Sequence, residues 1–150
     1  MTTMTAQTTQ IYQVFIKATP EAIWEAITNP EFTTKYFYGA RIEVTPDWRR
    51  TYSPDGAEDW GEGAVFEFDP PRKLVHEWRS KYSEELAAEE PSRVTWEIEP
   101  QDGGLSLLRV THDQLEGAPK TAESVSGSGW MMVISGLKTL LETGEPLTSF

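Results

Sequence analysis

The chain has 150 residues and a formal net charge of -11, from 13 lysines and arginines against 24 aspartates and glutamates. Such a charge repels nucleic-acid phosphates and anionic lipids, which argues against nucleic acid and membrane surfaces as partners. The absence of cysteine excludes disulfides, thiolate metal sites and a thiol nucleophile.

The N-terminal segment carries no pattern of a packed element. Residues 1–10 are rich in threonine and are predicted to form a disordered tail. They lack the basic and apolar regions of a signal peptide, and no apolar run in the chain approaches the roughly 20 residues that a membrane span needs. We therefore expect one cytoplasmic domain over residues 11–147, without membrane insertion.

Two short helices are predicted directly after the first strand. The apolar and β-branched residues from Ile11 to Ala18 favour a strand. Thr19-Pro20 then predicts a helix start, because threonine caps a helix and proline suits its first position. Asn29-Pro30 repeats the same signal and predicts a second short helix.

The middle of the chain alternates apolar and polar residues with a period of two. This pattern is typical of antiparallel strands with one buried face. The predicted strands are separated by turn sequences at Pro54-Asp55-Gly56, Pro70-Pro71 and Asp102-Gly103-Gly104. The residues expected on the apolar face are Ala64, Phe66, Phe68, Leu74, His76, Trp78, Val94, Trp96, Ile98, Leu108, Val110 and His112.

The last long segment changes to a helical period. Its apolar residues fall at i, i+3, i+4, i+7 and i+11, namely Trp130, Val133, Ile134, Leu137 and Leu141. We expect this helix to begin near Lys120 or Ala122, to bend at Gly127 and Gly129, and to end before Gly144. A sheet with one apolar face buries most surface by curving around such a helix. The prediction is an α+β helix-grip fold, in which a curved antiparallel sheet wraps around a long C-terminal helix.

Several segments together resemble a known family. They are residues 18–30, residues 69–79, Thr111-His112, Gly129-Trp130 and residues 136–144. In order and spacing they resemble the SRPBCC (START/birch-allergen-like) superfamily and, within it, the homologues of the heat-shock-protein ATPase activator. The likeness covers about residues 10–147. One departure is Leu105. It follows Gly103-Gly104 at the hairpin turn, where the family usually has Gly-Gly-Thr.

The resemblance implies a helix-grip fold that encloses a cavity between the sheet and the long helix. It also implies a small hydrophobic ligand such as a lipid, and in some members catalysis. The activator label further implies a stress-response role with a chaperone contact, or a homodimer. We expect no cofactor.

Aromatic and apolar residues on the predicted inner surfaces are the candidate ligand-binding residues. They are Trp24, Tyr36, Phe37, Phe66, Phe68, His76, Trp78, Trp96, Leu108, Val110, His112, Trp130, Met131 and Ile134. His76 and His112 could orient a ligand or act as acid and base near neutral pH, or each could be a structural histidine with satisfied hydrogen bonds. We expect no metal site, because two histidines without cysteine would need inward-facing carboxylates to complete the ligand set.

Three functions are compatible with this sequence. The leading hypothesis is a binding protein for a small hydrophobic or aromatic ligand. The second is an enzyme, a cyclase or hydrolase acting on an aromatic polyketide-like substrate with His76 or His112 as the catalytic residue. The third is a chaperone-activator-type interaction module.

Overall fold

The computed structural model describes residues 7–81, 83–126 and 128–149. Within these residues the strands are Gln10–Ile16 (β1), Arg41–Val44 (β2), Trp48–Tyr52 (β3), Asp59–Asp69 (β4), Lys73–Ser80 (β5), Ser92–Pro100 (β6) and Ser106–Asp113 (β7). The helices are Pro20–Thr28 (α1), Pro30–Tyr36 (α2), Glu84–Ala87 (α3), Pro119–Val125 (α4) and Ser128–Thr143 (α5).

The seven strands form one curved sheet in the order β1-β7-β6-β5-β4-β3-β2, and every neighbouring pair is antiparallel. Helices α1, α2 and α5 contribute their buried residues to one core with the inner face of the sheet. The predicted α+β helix-grip fold is therefore confirmed. Among the described residues, no helix combines the length and the apolar character that crossing a bilayer requires.

The two predicted helix starts are confirmed in atomic detail. Thr19 caps α1, where its Oγ1 accepts a hydrogen bond from the backbone N–H of Ala22 at 3.1 Å. Asn29 caps α2, where its Oδ1 accepts from the N–H of Glu31 at 3.0 Å. These caps fix both helices directly after β1. Strand β1 takes in Gln10 from the predicted tail, and residues 1–6 of that tail lie outside the described residues.

A β-bulge in β4 changes the predicted inner face of that strand. Val65 pairs with His76 and Glu67 pairs with Val75, so Phe66 is an extra residue in the ladder. The alternation shifts by one residue at this point, and the side chain of Phe66 is 62% exposed. The predictions that Ala64 and Phe66 belong to the apolar face are wrong for this reason, since Ala64 is exposed as well.

The C-terminal segment forms two helices instead of one. Helix α4 ends at Val125, and the backbone of Ser126 is extended. Helix α5 begins at Ser128 and buries the predicted apolar stripe against the core. The predicted bend at Gly127 lies outside the described residues. The helix ends at Thr143, before Gly144 with its positive φ of 80°, as expected.

The acidic segment between β5 and β6 contains the short helix α3, which the sequence pattern did not indicate. It is followed by Glu89, whose carboxylate accepts hydrogen bonds from the backbone N–H groups of Lys120 and Thr121, both at 2.8 Å. Helix α4 has no side-chain cap from its own N-cap residue, Ala118. Glu89 therefore caps α4 from a distant part of the chain.

Candidate functional site

A pocket of about 490 Å³ lies where α4, α5 and the segment after α2 face strands β3, β4 and β5. We call it the aromatic pocket. It is lined by Phe37, Tyr38, Ala40, Arg49, Thr51, Glu58, Trp60, Gly61, Glu62, Trp78, Arg79, Ser80, Ser124, Val125, Gly129, Trp130 and Val133. Its volume falls in the range of small-molecule sites, roughly 300–1,000 Å³.

Three aromatic rings from different elements meet in its wall. The ring of Phe37, just after α2, meets the ring of Trp130 on α5 nearly edge to face, with a centroid distance of 5.9 Å. Trp78 on β5 lies 5.6 Å from Trp130 and 6.3 Å from Phe37 by the same measure. These contacts hold the rings of the wall in place, and rings are the side chains that small apolar ligands commonly contact.

Arg49 on β3 brings a charge into this apolar wall. Its side chain is buried, with 5% exposure, and its guanidinium carbon lies 5.5 Å from the centroid of Phe37 and 5.1 Å from that of Trp78. Its Nη1 donates a hydrogen bond to Oγ1 of Thr51 at 3.3 Å. Burial lowers the pKa of Arg49 to about 10, which leaves the guanidinium charged at neutral pH.

The outer part of the pocket is polar and more exposed. Glu58 accepts a hydrogen bond from the indole Nε1 of Trp60 at 3.2 Å. Glu62 forms an ion pair with Lys81 at 2.9 Å. Arg79 is half-buried. The rim therefore mixes both charges, whereas Arg49 is the buried charge among the described lining residues.

His76 is fully buried behind the wall and does not line the pocket. The indole Nε1 of Trp96 donates to its Nε2 at 3.0 Å. The proton of the neutral ring is therefore on Nδ1, which donates to the backbone carbonyl of Glu77 at 3.0 Å. Burial, together with the charge of Arg49, lowers the pKa of His76 well below its ordinary value.

His112 is also held by a tryptophan indole, but through its Nδ1 where His76 is held through Nε2. The indole Nε1 of Trp130 donates to its Nδ1 at 3.1 Å, so the proton is on Nε2, 2.7 Å from the Oγ of Ser92. Burial lowers the pKa of His112 to about 3. Both imidazoles are thus neutral and engaged at both nitrogens. This geometry favours the structural interpretation of the two histidines over acid–base chemistry, which needs a ring nitrogen that reaches the substrate.

The described residues contain no group of three or more histidines, aspartates or glutamates that could hold a metal ion. The carboxylates nearest the aromatic pocket, Glu58 and Glu62, lie at its exposed rim. Neither histidine lines the pocket beside them.

The structure divides the predicted binding residues into four groups. Phe37, Trp78 and Trp130 line the pocket. Those in the core behind it are Tyr36, His76, Trp96, Leu108, Val110, His112 and Ile134. Trp24 and Phe68 pack on each other elsewhere, with ring centroids 5.2 Å apart. Phe66 and Met131 lie on the surface, so neither belongs to an internal site.

The prediction for Met131 fails because of helix geometry. Trp130 and Val133 point into the protein, and Met131 lies on the exposed side of α5 with 54% exposure.

The predicted set of binding residues also missed the polar residues that line the pocket. Arg49 and Thr51 alternate on one face of β3, which is visible in the sequence, but two polar residues in that pattern indicate a solvent-facing strand.

Comparison with solved structures supports this fold at low sequence identity. Protein MLL2253 from Mesorhizobium loti is 18% identical, with a TM-score of 0.70 over 89% of this chain and 96% of that one. DynU16, a protein of the dynemicin biosynthetic locus, is 21% identical, with a TM-score of 0.70 over 93% of this chain and 49% of that one. PFC0360w, an HSP90 activator from Plasmodium falciparum, is 19% identical, with a TM-score of 0.67 over 93% and 99% of the two chains.

A search of the curated proteins gave no match. Residues 17–142 match the family described as activator of Hsp90 ATPase homolog 1-like protein, which belongs to the SRPBCC superfamily. This range runs from the end of β1 to the last turn of α5 and includes every residue of the aromatic pocket. The chain therefore belongs to the family of activator of Hsp90 ATPase homolog 1-like proteins.

Proposed function

We propose that this protein binds a small apolar or aromatic molecule in the aromatic pocket. The observation that carries the proposal is the pocket of about 490 Å³ walled by the rings of Phe37, Trp78 and Trp130. Rings fixed by mutual contact lose little conformational freedom when a ligand arrives, so the apolar surface buried by the ligand contributes to affinity. The indole of Trp130 is held by His112, which adds to this preorganisation.

The proposal is tested with a neutral aromatic probe, 2-naphthamide, in titration calorimetry and tryptophan fluorescence. Binding should quench or shift the emission, because Trp78 and Trp130 line the pocket. Val133→Phe places a ring in the same space and should weaken binding at least tenfold. Met131→Phe creates the same residue on the exposed side of α5 and should leave the affinity unchanged.

Two results would contradict the proposal. One is the absence of any binding to the wild-type protein of both 2-naphthamide and its carboxylate analogue, 2-naphthoate. The other is an equal affinity of wild-type, Val133→Phe and Met131→Phe for the probe. Circular dichroism checks that each variant is folded, and Val125→Phe on α4, which also lines the pocket, replaces Val133→Phe if that variant does not fold.

A chaperone contact is a second candidate, supported by the family and by the outer face of β1. Ile11 and Phe15 are both exposed on this edge strand, on the side away from the core. Exposed apolar side chains on one face can bind another protein. If this face contacts an Hsp90-type chaperone, the wild-type protein should stimulate its ATPase and Phe15→Glu should not. Equal stimulation by both proteins would exclude this face.

A further inference from the structure

Within the part of the chain that the structure describes, the buried cation Arg49 forms no ion pair with a carboxylate. Among the described residues, the cations paired with carboxylates are Arg72, Lys73, Lys81, Arg93, Arg109, Lys120 and Lys138, and each has a side chain at least 29% exposed. Arg49 is 5% exposed, and no described carboxylate lies within ion-pair distance of it. The cost of taking the Arg49 charge out of water is therefore not offset by an ion pair.

The contacts that Arg49 does make offset only part of this cost. The rings of Phe37 and Trp78 attract the guanidinium through cation–π interactions, and Thr51 accepts one hydrogen bond. A guanidinium has five N–H donors, however, and a carboxylate is the acceptor that matches its planar fork.

The remaining donors of Arg49 have access to solvent. No buried polar side-chain atom of the described residues lacks a hydrogen-bond partner. The guanidinium nitrogens that have no protein acceptor are therefore those with access to solvent, and Arg49 lines the aromatic pocket. An acceptor that enters the pocket can reach these donors directly.

The pocket admits one negative charge on an apolar body better than two. Arg49 supplies a single buried positive charge. At the rim, the half-buried Arg79 is accompanied by two carboxylates, Glu58 and Glu62, which repel a second negative charge. A dianionic phosphate would keep a charge that the buried part of the pocket does not compensate. The rings of Phe37, Trp78 and Trp130 suit a flat aromatic body.

We infer that the aromatic pocket is a site for aromatic monocarboxylates, in which the Arg49 guanidinium holds the carboxylate and the surrounding rings hold the aromatic body. This inference rests on the proposed function, since it specifies the ligand class of the same pocket. Arg49 combines anion recognition with a cation–π contact, so it gives the pocket its specificity for charge.

The test compares two probes of nearly identical shape, 2-naphthoate and 2-naphthamide, by titration calorimetry at neutral pH. Wild-type protein should bind 2-naphthoate roughly tenfold to a hundredfold more tightly than 2-naphthamide, because hydrogen bonds to a charged partner are the stronger ones. Arg49→Met should lose this preference, so that it binds 2-naphthoate and 2-naphthamide with equal affinity. The neighbouring substitution Arg50→Met is the matched control, because Arg50 is exposed over Trp48 outside the pocket and should leave both affinities unchanged.

A stability measurement distinguishes an Arg49 that binds an anionic ligand from an Arg49 with a purely structural role. If Arg49 serves to bind an anionic ligand, its charge has no anionic partner in the free protein, and Arg49→Met removes this uncompensated buried charge. The ligand-free variant should then unfold at the same or a higher urea concentration than the wild-type protein. If the cation holds β3 in place through Phe37 and Trp78, the variant should unfold at a lower concentration. That result, together with an unchanged probe preference, would overturn the inference.

The comparison stays decisive if Arg49→Met does not fold, because the wild-type preference for 2-naphthoate needs no variant. Equal affinities of the wild-type protein for 2-naphthoate and 2-naphthamide would overturn the inference. The proposal that the aromatic pocket binds a small apolar or aromatic molecule would be unaffected. Failure of both probes to bind would instead overturn the proposed function. Decanoate carries the same charge on an alkyl chain, and binding as tight as that of 2-naphthoate would overturn the aromatic part of the inference.

Discussion

The buried histidines make the stability of this protein depend on pH, and one substitution isolates the effect of His112. The pKa of His112 is about 3 in the folded protein, against an ordinary value of 6.5. A range therefore exists in which the unfolded chain binds a proton that the folded protein does not. The free energy of unfolding is therefore undiminished by this proton above pH 6.5, and it decreases as the pH falls from 6.5 towards about 3.

The size of the effect follows from this difference in pKa. At about pH 5 the proton bound by the unfolded chain lowers the free energy of unfolding by about 2 kcal/mol for one such histidine. His76, whose pKa is also lowered by burial, acts in the same direction. We predict that His112→Asn, which removes the imidazole, destabilises the protein by about 2 kcal/mol less at about pH 5 than at about pH 7.5.

Urea unfolding of both proteins at the two pH values, followed by circular dichroism, measures this difference. Carboxylates titrate in both proteins and cancel in the comparison. Ser92→Ala is the matched control, because it removes the hydrogen-bond partner of Nε2 but keeps the buried imidazole, and it should retain the pH dependence of the wild-type protein. A cost of His112→Asn that is the same at both pH values would refute the assignment of a neutral His112.

Three further substitutions test contacts that hold the fold, each by urea unfolding at neutral pH. Gly63→Ala places a Cβ against the backbone carbonyl of Glu77 and should cost about 2–4 kcal/mol, and a neutral result would show that β4 and β5 are further apart. Tyr36→Phe removes the hydrogen bond from the phenol to the carbonyl of Ala26, 2.7 Å long, and should cost about 1 kcal/mol. Glu89→Ala removes the distant cap of α4 and should cost about 1–2 kcal/mol. Unchanged amide exchange in the first turn of α4 would contradict this last assignment.

The sequence predicts those parts of the fold that depend on neighbouring residues. Thr19 and Asn29 cap helices through N–H groups two or three residues away, so the signal and its partner lie in the same short segment. The inward position of His76 and His112 also follows from strand alternation, which runs without interruption through β5, β6 and β7. Phe66 is mispredicted because a bulge shifts the register of β4 against β5, and a hydrophobic pattern does not contain that pairing.

The candidate site is harder to predict, because a cavity between elements leaves no pattern of its own in the sequence. Apolar periodicity identifies side chains that leave water, but it does not separate those that fill the core from those that face a cavity. Trp96 and Trp130 occupy similar positions in their patterns, and only Trp130 lines the pocket. Arg49 is missed for a different reason. Its burial depends on Phe37 and Trp78, which come from other elements, so no local window of sequence contains the environment that encloses it.

Trp130 has one side in the aromatic pocket and the other in the interior of the protein. Its ring lines the aromatic pocket, and its indole nitrogen is held by His112, which Ser92 orients in turn. A substitution at Ser92, the first residue of β6, can therefore tilt this ring although Ser92 does not itself line the pocket. The shape of the aromatic pocket therefore depends on residues behind its wall as well as on those that line it.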